Sequence, residues 1–181
     1  YAAVGFSYDK YTDMLRNGLE GKNIEIASIH TSDDKPAAIQ NASSIAVGGG
    51  NTFQLVKMMQ ELGLMDTIRT AVNSGTPYMG WSAGSNVSGP SIKTTNDMPI
   101  AEPPSFDALG LFPWQMNPHY TEKTIEGHGG ESRKHRLKEY CSINDTPVIC
   151  LPEGTGILCE GETNTLIGHD SALVMAGASE T

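Results

Sequence analysis

Apolar side chains fall at helical spacing through residues 8–19, where Tyr11, Met14, Leu15 and Leu19 share one side and Gly21 stops the run. The period then changes to two. Ile24, Ile26 and Ile29 alternate with polar neighbours over residues 23–30, which predicts a strand. A short helical piece at residues 37–40 leads to Ser44-Ile45-Ala46-Val47, an apolar strand that runs straight into Gly48-Gly49-Gly50-Asn51. Residues 52–62 predict a helix with Phe53, Leu55, Val56, Met59 and Leu62 along its apolar side, and residues 65–73 continue or follow it up to Gly75. Pro77-Tyr78-Met79 reads as a buried strand, and the small residues 83–88 open another helix. Residues 90–118 are rich in Pro, Asp and aromatics without a period, so a long structured loop is expected; such loops usually carry function. Residues 131–140 predict a charged helix and residues 147–151 a short strand. Residues 156–160, 165–168 and 173–175 predict short antiparallel strands between glycine-containing turns.

Strands alternating with helices imply an α/β fold, a mostly parallel sheet flanked by helices with antiparallel strands near the C-terminus. No repeat, low-complexity tract or linker divides the 181 residues, so residues 1–181 read as one domain. No apolar run approaches a membrane span. The net charge of -9, with no Lys/Arg-rich block, speaks against nucleic acid as a partner. Cys141, Cys150 and Cys159 form no C-x-x-C and no metal-ligand spacing, so reduced thiols and a cytoplasmic protein without a metal or cofactor are expected. The chain opens on Tyr1-Ala2-Ala3 with neither an initiator Met nor a signal pattern, which suggests a natural start further upstream.

The chemistry centres on Gly80-Trp81-Ser82-Ala83-Gly84, which follows a strand and precedes a helix. Gly-x-Ser-x-Gly in that setting is a nucleophile elbow: a sharp turn lifts the central serine off the sheet, and only small flanking residues let the chain pass. In an open α/β sheet, ligands bind beyond the carboxyl ends of the strands. Three strands here end in Gly48-Gly49-Gly50-Asn51, in Trp81-Ser82 and in Glu153. The glycine run matches no nucleotide fingerprint, but its N–H groups together with that of Ala83 suit an oxyanion hole. Among five histidines, His119 stands in Asn117-Pro118-His119-Tyr120, a rigid loop, and is the favoured base. His30, His128, His135 and His169 sit at strand ends, turns or a charged helix. The acid that would orient the base is either Glu153 or Asp97, and the sequence leaves the two open.

Six blocks carry a resemblance: Val47-Gly48-Gly49-Gly50-Asn51-Thr52-Phe53-Gln54-Leu55, the elbow, Thr94-Thr95-Asn96-Asp97-Met98-Pro99-Ile100, Phe106-Asp107-Ala108-Leu109, Asn117-Pro118-His119 and Leu151-Pro152-Glu153-Gly154. In this order and over nearly the whole chain they resemble peptidase E, a family of α-aspartyl dipeptidases with a fold like the class I glutamine amidotransferases. The resemblance implies Ser82 as nucleophile, His119 as base and Glu153 as its acid, with Asp97 a further carboxylate of catalytic weight. Gly50 and Ala83 would supply the oxyanion N–H groups, and Arg133 and Asn51 would bind substrate. It implies hydrolysis of the bond after an N-terminal L-aspartate, in a monomer or weak homodimer. It also implies a further strand and helix ahead of Tyr1. The Ser-His-Glu order departs from the Ser-Asp-His order of α/β-hydrolases. Two other readings are a related hydrolase acting on an aspartate-rich polymer, cyanophycinase-like, and a non-catalytic binding protein on the same scaffold.

Overall fold

A computed structural model describes residues 1–123, 129–168 and 171–177. His128 and His169 lie outside the described residues. Six helices and seven strands are described: α1 (Tyr8–Gly18), α2 (Lys35–Gln40), β1 (Ile45–Val47), α3 (Thr52–Glu61), α4 (Leu64–Asn73), β2 (Tyr78–Gly80), α5 (Ala83–Asn86), β3 (Gln115–Pro118), α6 (Arg133–Ile143), β4 (Val148–Leu151), β5 (Thr155–Glu160), β6 (Thr163–Gly168) and β7 (Leu173–Met175). β1 pairs in parallel with β2, and β3 with β4. β7 adds antiparallel to β4, and β5 and β6 form a hairpin. The α/β class with antiparallel strands near the C-terminus is borne out.

Four of the six helices start where a side chain takes an unpaired N–H group of the first turn; α4 and α5 have no such cap. Ser7 caps α1, Asp34 caps α2, Asn51 caps α3 and Ser132 caps α6, each accepting a backbone N–H three residues on. The apolar sides of α3 and α4 supply Leu55, Val56, Met59, Leu64 and Ile68 to the larger core, which also holds Val87, Ile92 and Leu109. A second core gathers Tyr120, Leu137, Cys141, Val148 and Cys150 between α6 and β4. Between the two parallel pairs lies α5, packed on β1, β2 and β3.

The strand before the elbow, expected to be buried, is exposed at Pro77 and at Met79, the latter to 60%. Two strand assignments fail. Residues 23–30 do not form a strand; they run without ladder pairing among the described residues into a 3-10 turn at Ile29–Thr31. Asn23 turns the chain at φ 54°, and the carbonyl of Ile26 accepts from the Arg16 guanidinium at 2.9 Å. An alternating pattern selects a face but does not supply the neighbouring strand. Conversely, the end of the supposed 90–118 loop is β3, all four of whose residues are buried. Its amide NH2 groups find partners inside: Gln115 Nε2 donates to Ser91 Oγ at 2.5 Å and Asn117 Nδ2 to the Thr94 carbonyl at 2.8 Å, while Gln115 Oε1 and Asn117 Oδ1 are buried without a partner among the described residues. Buried polar residues conceal a strand from any reading based on hydropathy.

Candidate active site

Val47 lies opposite Gly80 in the β1–β2 ladder, so both strands end side by side and turn off the sheet together. After β2 the chain reverses at Ser82, held at φ 54° and ψ -115°, a conformation that costs a non-glycine residue about 1–3 kcal/mol. The glycines around it are required by contact. A Cβ on Gly84 would sit 1.9 Å from the Val47 carbonyl oxygen, and one on Gly80 would sit 2.4 Å from the Gly84 oxygen. The Tyr78 hydroxyl donates to that same Gly84 oxygen at 2.7 Å, and burial pushes the phenol's pKa well above its ordinary value. The elbow is therefore strained and clamped at once.

The glycine run after β1 faces the elbow. A Cβ on Gly49 would meet Ser82 Cβ at 2.9 Å and Oγ at 3.3 Å. Gly49 N–H donates to the Tyr11 hydroxyl at 3.0 Å. Gly50, at φ 139°, presses against the Ala2 carbonyl, to which Asn51 N–H donates at 2.8 Å. The N–H groups of Gly50 and Ala83 have no acceptor among the described residues. Two free N–H groups on adjoining turns beside a serine hydroxyl have the composition of an oxyanion hole.

The second parallel pair carries His119 and Glu153. Pro118 is opposite Leu151, so His119 is the first residue past β3 and Glu153 the second past β4. Tyr120 N–H donates to the Leu151 carbonyl at 2.9 Å, which closes the turn with His119 at φ 56°. His119 Nδ1 is hydrogen-bonded to Glu153 Oε1, and Nε2 has no hydrogen bond to the described residues. The side chains are 46% and 81% exposed, too open for the pair to add much stability. Its consequence is orientation. A donated Nδ1–H leaves Nε2 as the acceptor.

Asp97 goes elsewhere. Its Oδ2 accepts the backbone N–H of Thr52 at 2.7 Å, at the positive end of α3. Asn51, expected to bind substrate, has both ends of its amide occupied: Oδ1 accepts from Gln54 N–H at 3.1 Å and Nδ2 donates to the Met98 carbonyl at 2.8 Å. Arg133 begins α6, half-buried, and its Nη1 donates to the carbonyls of Pro118 and His119. No hydrogen bond joins Ser82 Oγ to His119 among the described residues.

Of the other histidines, the two among the described residues, His30 and His135, are accounted for by local structure. His30 bonds Ser28 Oγ at 2.6 Å and Asp9 Oδ1 at 2.9 Å. His135 stands between Glu131, just ahead of α6, and Glu139 on α6; the three exposed groups could share an ion, each offering an atom within 4.8 Å of the others. Tyr11, Thr52, Asn86 and Thr95 also bear on the site: Thr52 and Thr95 fall inside two of the six blocks without being singled out there, Asn86 lies one helical turn after Ser82, and Tyr11 carries no motif.

Peptidase E of Shewanella denitrificans is 48% identical over 181 residues, which is 99% of this chain and 77% of that protein. Peptidase E of Actinobacillus pleuropneumoniae serotype 5b is 49% identical over 174 residues, 96% of this chain and 74% of its own. A solved structure of a candidate peptidase E from Listeria monocytogenes EGD-e superposes with TM-score 0.71 at 20% identity, covering 93% of this chain and 83% of its own. A peptidase from an acI-B1 actinobacterium gives 0.70 at 17%, covering 98% and 75%. At such identity these two speak for the fold. Peptidase family S51 matches over residues 1–167. With that match and relatives near half identical, the chain belongs to peptidase family S51 and is a serine-type peptidase.

Proposed function

We propose that the peptidase is an aspartyl dipeptidase, with Ser82 as nucleophile, His119 as base and Glu153 as the acid that orients it. The observation that carries this reading is the His119–Glu153 hydrogen bond, one strand pair away from a strained serine with two free N–H groups beside it. Ser82 attacks the carbonyl of the first residue as His119 Nε2 takes its proton. The negative charge that develops on the carbonyl oxygen is met by Gly50 and Ala83 N–H, each such donor being worth about 3 kcal/mol. The protonated imidazole gives its proton to the departing amine, and water, deprotonated by the same nitrogen, releases the acyl group from Ser82. This chemistry draws on no metal or cofactor.

Specificity for aspartate rests on Arg133. Its Nη1 is tied to the His119 turn, and its remaining N–H donors have no partner among the described residues. A guanidinium offers parallel donors that suit a carboxylate and cannot lose its charge. Asn51 then serves by fixing the loop at Met98 and the start of α3, not by contact with substrate. The relatives named peptidase E do not favour the polymer-hydrolase or binding-protein readings.

The test is a comparison of Asp-Leu with Asn-Leu, which differ by one charge. The wild type should prefer Asp-Leu by at least about 100-fold in kcat/KM, the scale of a lost charged hydrogen bond. Arg133→Ala should remove most of that preference. Equal turnover of the two peptides by the wild type would contradict the aspartyl assignment.

A further inference from the structure

Polar side chains in the larger core join the two halves of the proposed oxyanion hole. Asn86 and Thr52 are both buried, at 5% and 0% exposure, among Ala83, Val87, Leu55 and Val56. Asn86 Nδ2 donates to Thr52 Oγ1 at 3.3 Å and, at 3.4 Å, to the Ser82 carbonyl, which also accepts the backbone N–H groups of Ser85 at 3.0 Å and Asn86 at 3.1 Å; Asn86 Oδ1 has no partner among the described residues. That carbonyl belongs to the same planar peptide group as Ala83 N–H. Because the group is rigid, holding its oxygen aims its N–H. Thr52, at the other end of the bridge, follows Gly50 by two residues. It is held from a second side by Asp97 Oδ2 on its N–H at 2.7 Å and by Thr95 Oγ1 on its hydroxyl at 3.1 Å. Gly50 itself, at φ 139°, sits where the backbone has no side chain to restrain it.

We propose that Asn86 and Thr52, anchored by Asp97, form a buried strut that fixes the distance and angle between Gly50 N–H and Ala83 N–H. They are positioning residues, since they reach the reaction only through backbone they hold. The inference rests on the serine-peptidase mechanism proposed above. It also gives Asp97 a duty distinct from the acid of a triad: it anchors the strut at the start of α3. Oxyanion stabilisation depends on donors set in advance, and a displacement of about 1 Å can cost about 100-fold in rate.

The test uses the full chain, with kcat, KM and the pH profile on Asp-Leu measured beside a thermal melt. Thr52→Val keeps the shape and removes the hydroxyl, and Asn86→Ala removes the amide. Each should lower kcat by about 10- to 100-fold, with KM within about threefold and the limbs of the pH profile unmoved. Thr52→Ser should restore most of the rate. The double variant should lose no more than the worse single one, as expected of residues acting as one unit. A folded Thr52→Val or Asn86→Ala with kcat within about twofold of wild type would overturn the strut, as would a change confined to KM. If one variant does not fold, the other decides by the same criterion. An inactive wild type would instead contradict the substrate reading. The strut is then judged by how fast a fluorophosphonate labels Ser82, since its phosphoryl oxygen uses the same two donors: about tenfold slower in the variants supports it, and equal rates overturn it.

Discussion

Glu153 and Asp97, rivals in the sequence, sit in different surroundings, and the difference can be measured. Glu153 is 81% exposed and bonded to an imidazole, so removing it should leave stability within about 0.5 kcal/mol of wild type. The rate should nevertheless fall by about 100- to 10,000-fold, because the imidazole loses the group that selects its tautomer. Asp97 takes an N–H at the start of α3, so Asp97→Ala should cost about 0.5–2 kcal/mol of stability as well as rate. Urea denaturation beside kinetics separates the two, and Glu153→Ala with the larger stability loss would contradict these assignments. Both carboxylates were legible as candidates from their places at a strand end and before a proline-bearing turn. Which one meets the histidine was not, because that depends on the parallel register of β3 and β4. The substrate-binding role of Asn51 came with the family resemblance; in the structure its amide is spent on a helix cap and a loop carbonyl.

At the scale of elements, the elbow depends on contacts that admit no side chain. Gly84→Ala would set a methyl carbon 1.9 Å from the Val47 carbonyl, so the start of α5 must lift from β1. Activity should fall below about 1% of wild type, since Ala83 N–H moves with the helix. Thermal melting and turnover of this variant check the point, and wild-type activity would mean the packing is looser than described. Helices with a clear apolar side, α3 and α4 above all, were legible to within a residue or two. So were the strands that end in unusual chemistry. The failures share a cause: pairing partners and buried hydrogen bonds are set by tertiary structure, and neither leaves a period in the sequence. Residues 23–30 had the alternation without a partner, and β3 had the partner without the alternation.

For the molecule as a whole, the three thiols report on how firmly the second core is closed. Cys141 and Cys150 are buried and Cys159 is exposed on β5. Burial raises the Cys150 thiol to about 12, from an ordinary value of 9.0. At neutral pH, Cys159 should react with a maleimide first, and Cys150 only as the chain unfolds; mass spectrometry of labelled peptides reads the order. Because the folded value is the higher one, the unfolded chain loses this proton first. Stability from Cys150 is therefore complete below pH 9 and declines as pH rises through 12. Denaturation series across that range should find unfolding easier at each alkaline step. The proposed active site spans the two parallel strand pairs, one followed by Ser82 and the proposed oxyanion donors and the other by His119 and Glu153. The measurement that bears most directly on the central claim is kcat/KM for Asp-Leu with wild type and Ser82→Ala, prepared alike and shown by melting to be equally folded. A wild type that cleaves Asp-Leu and a variant slower by at least about 10⁴-fold is the predicted result, and turnover by Ser82→Ala near the wild-type rate would contradict the account.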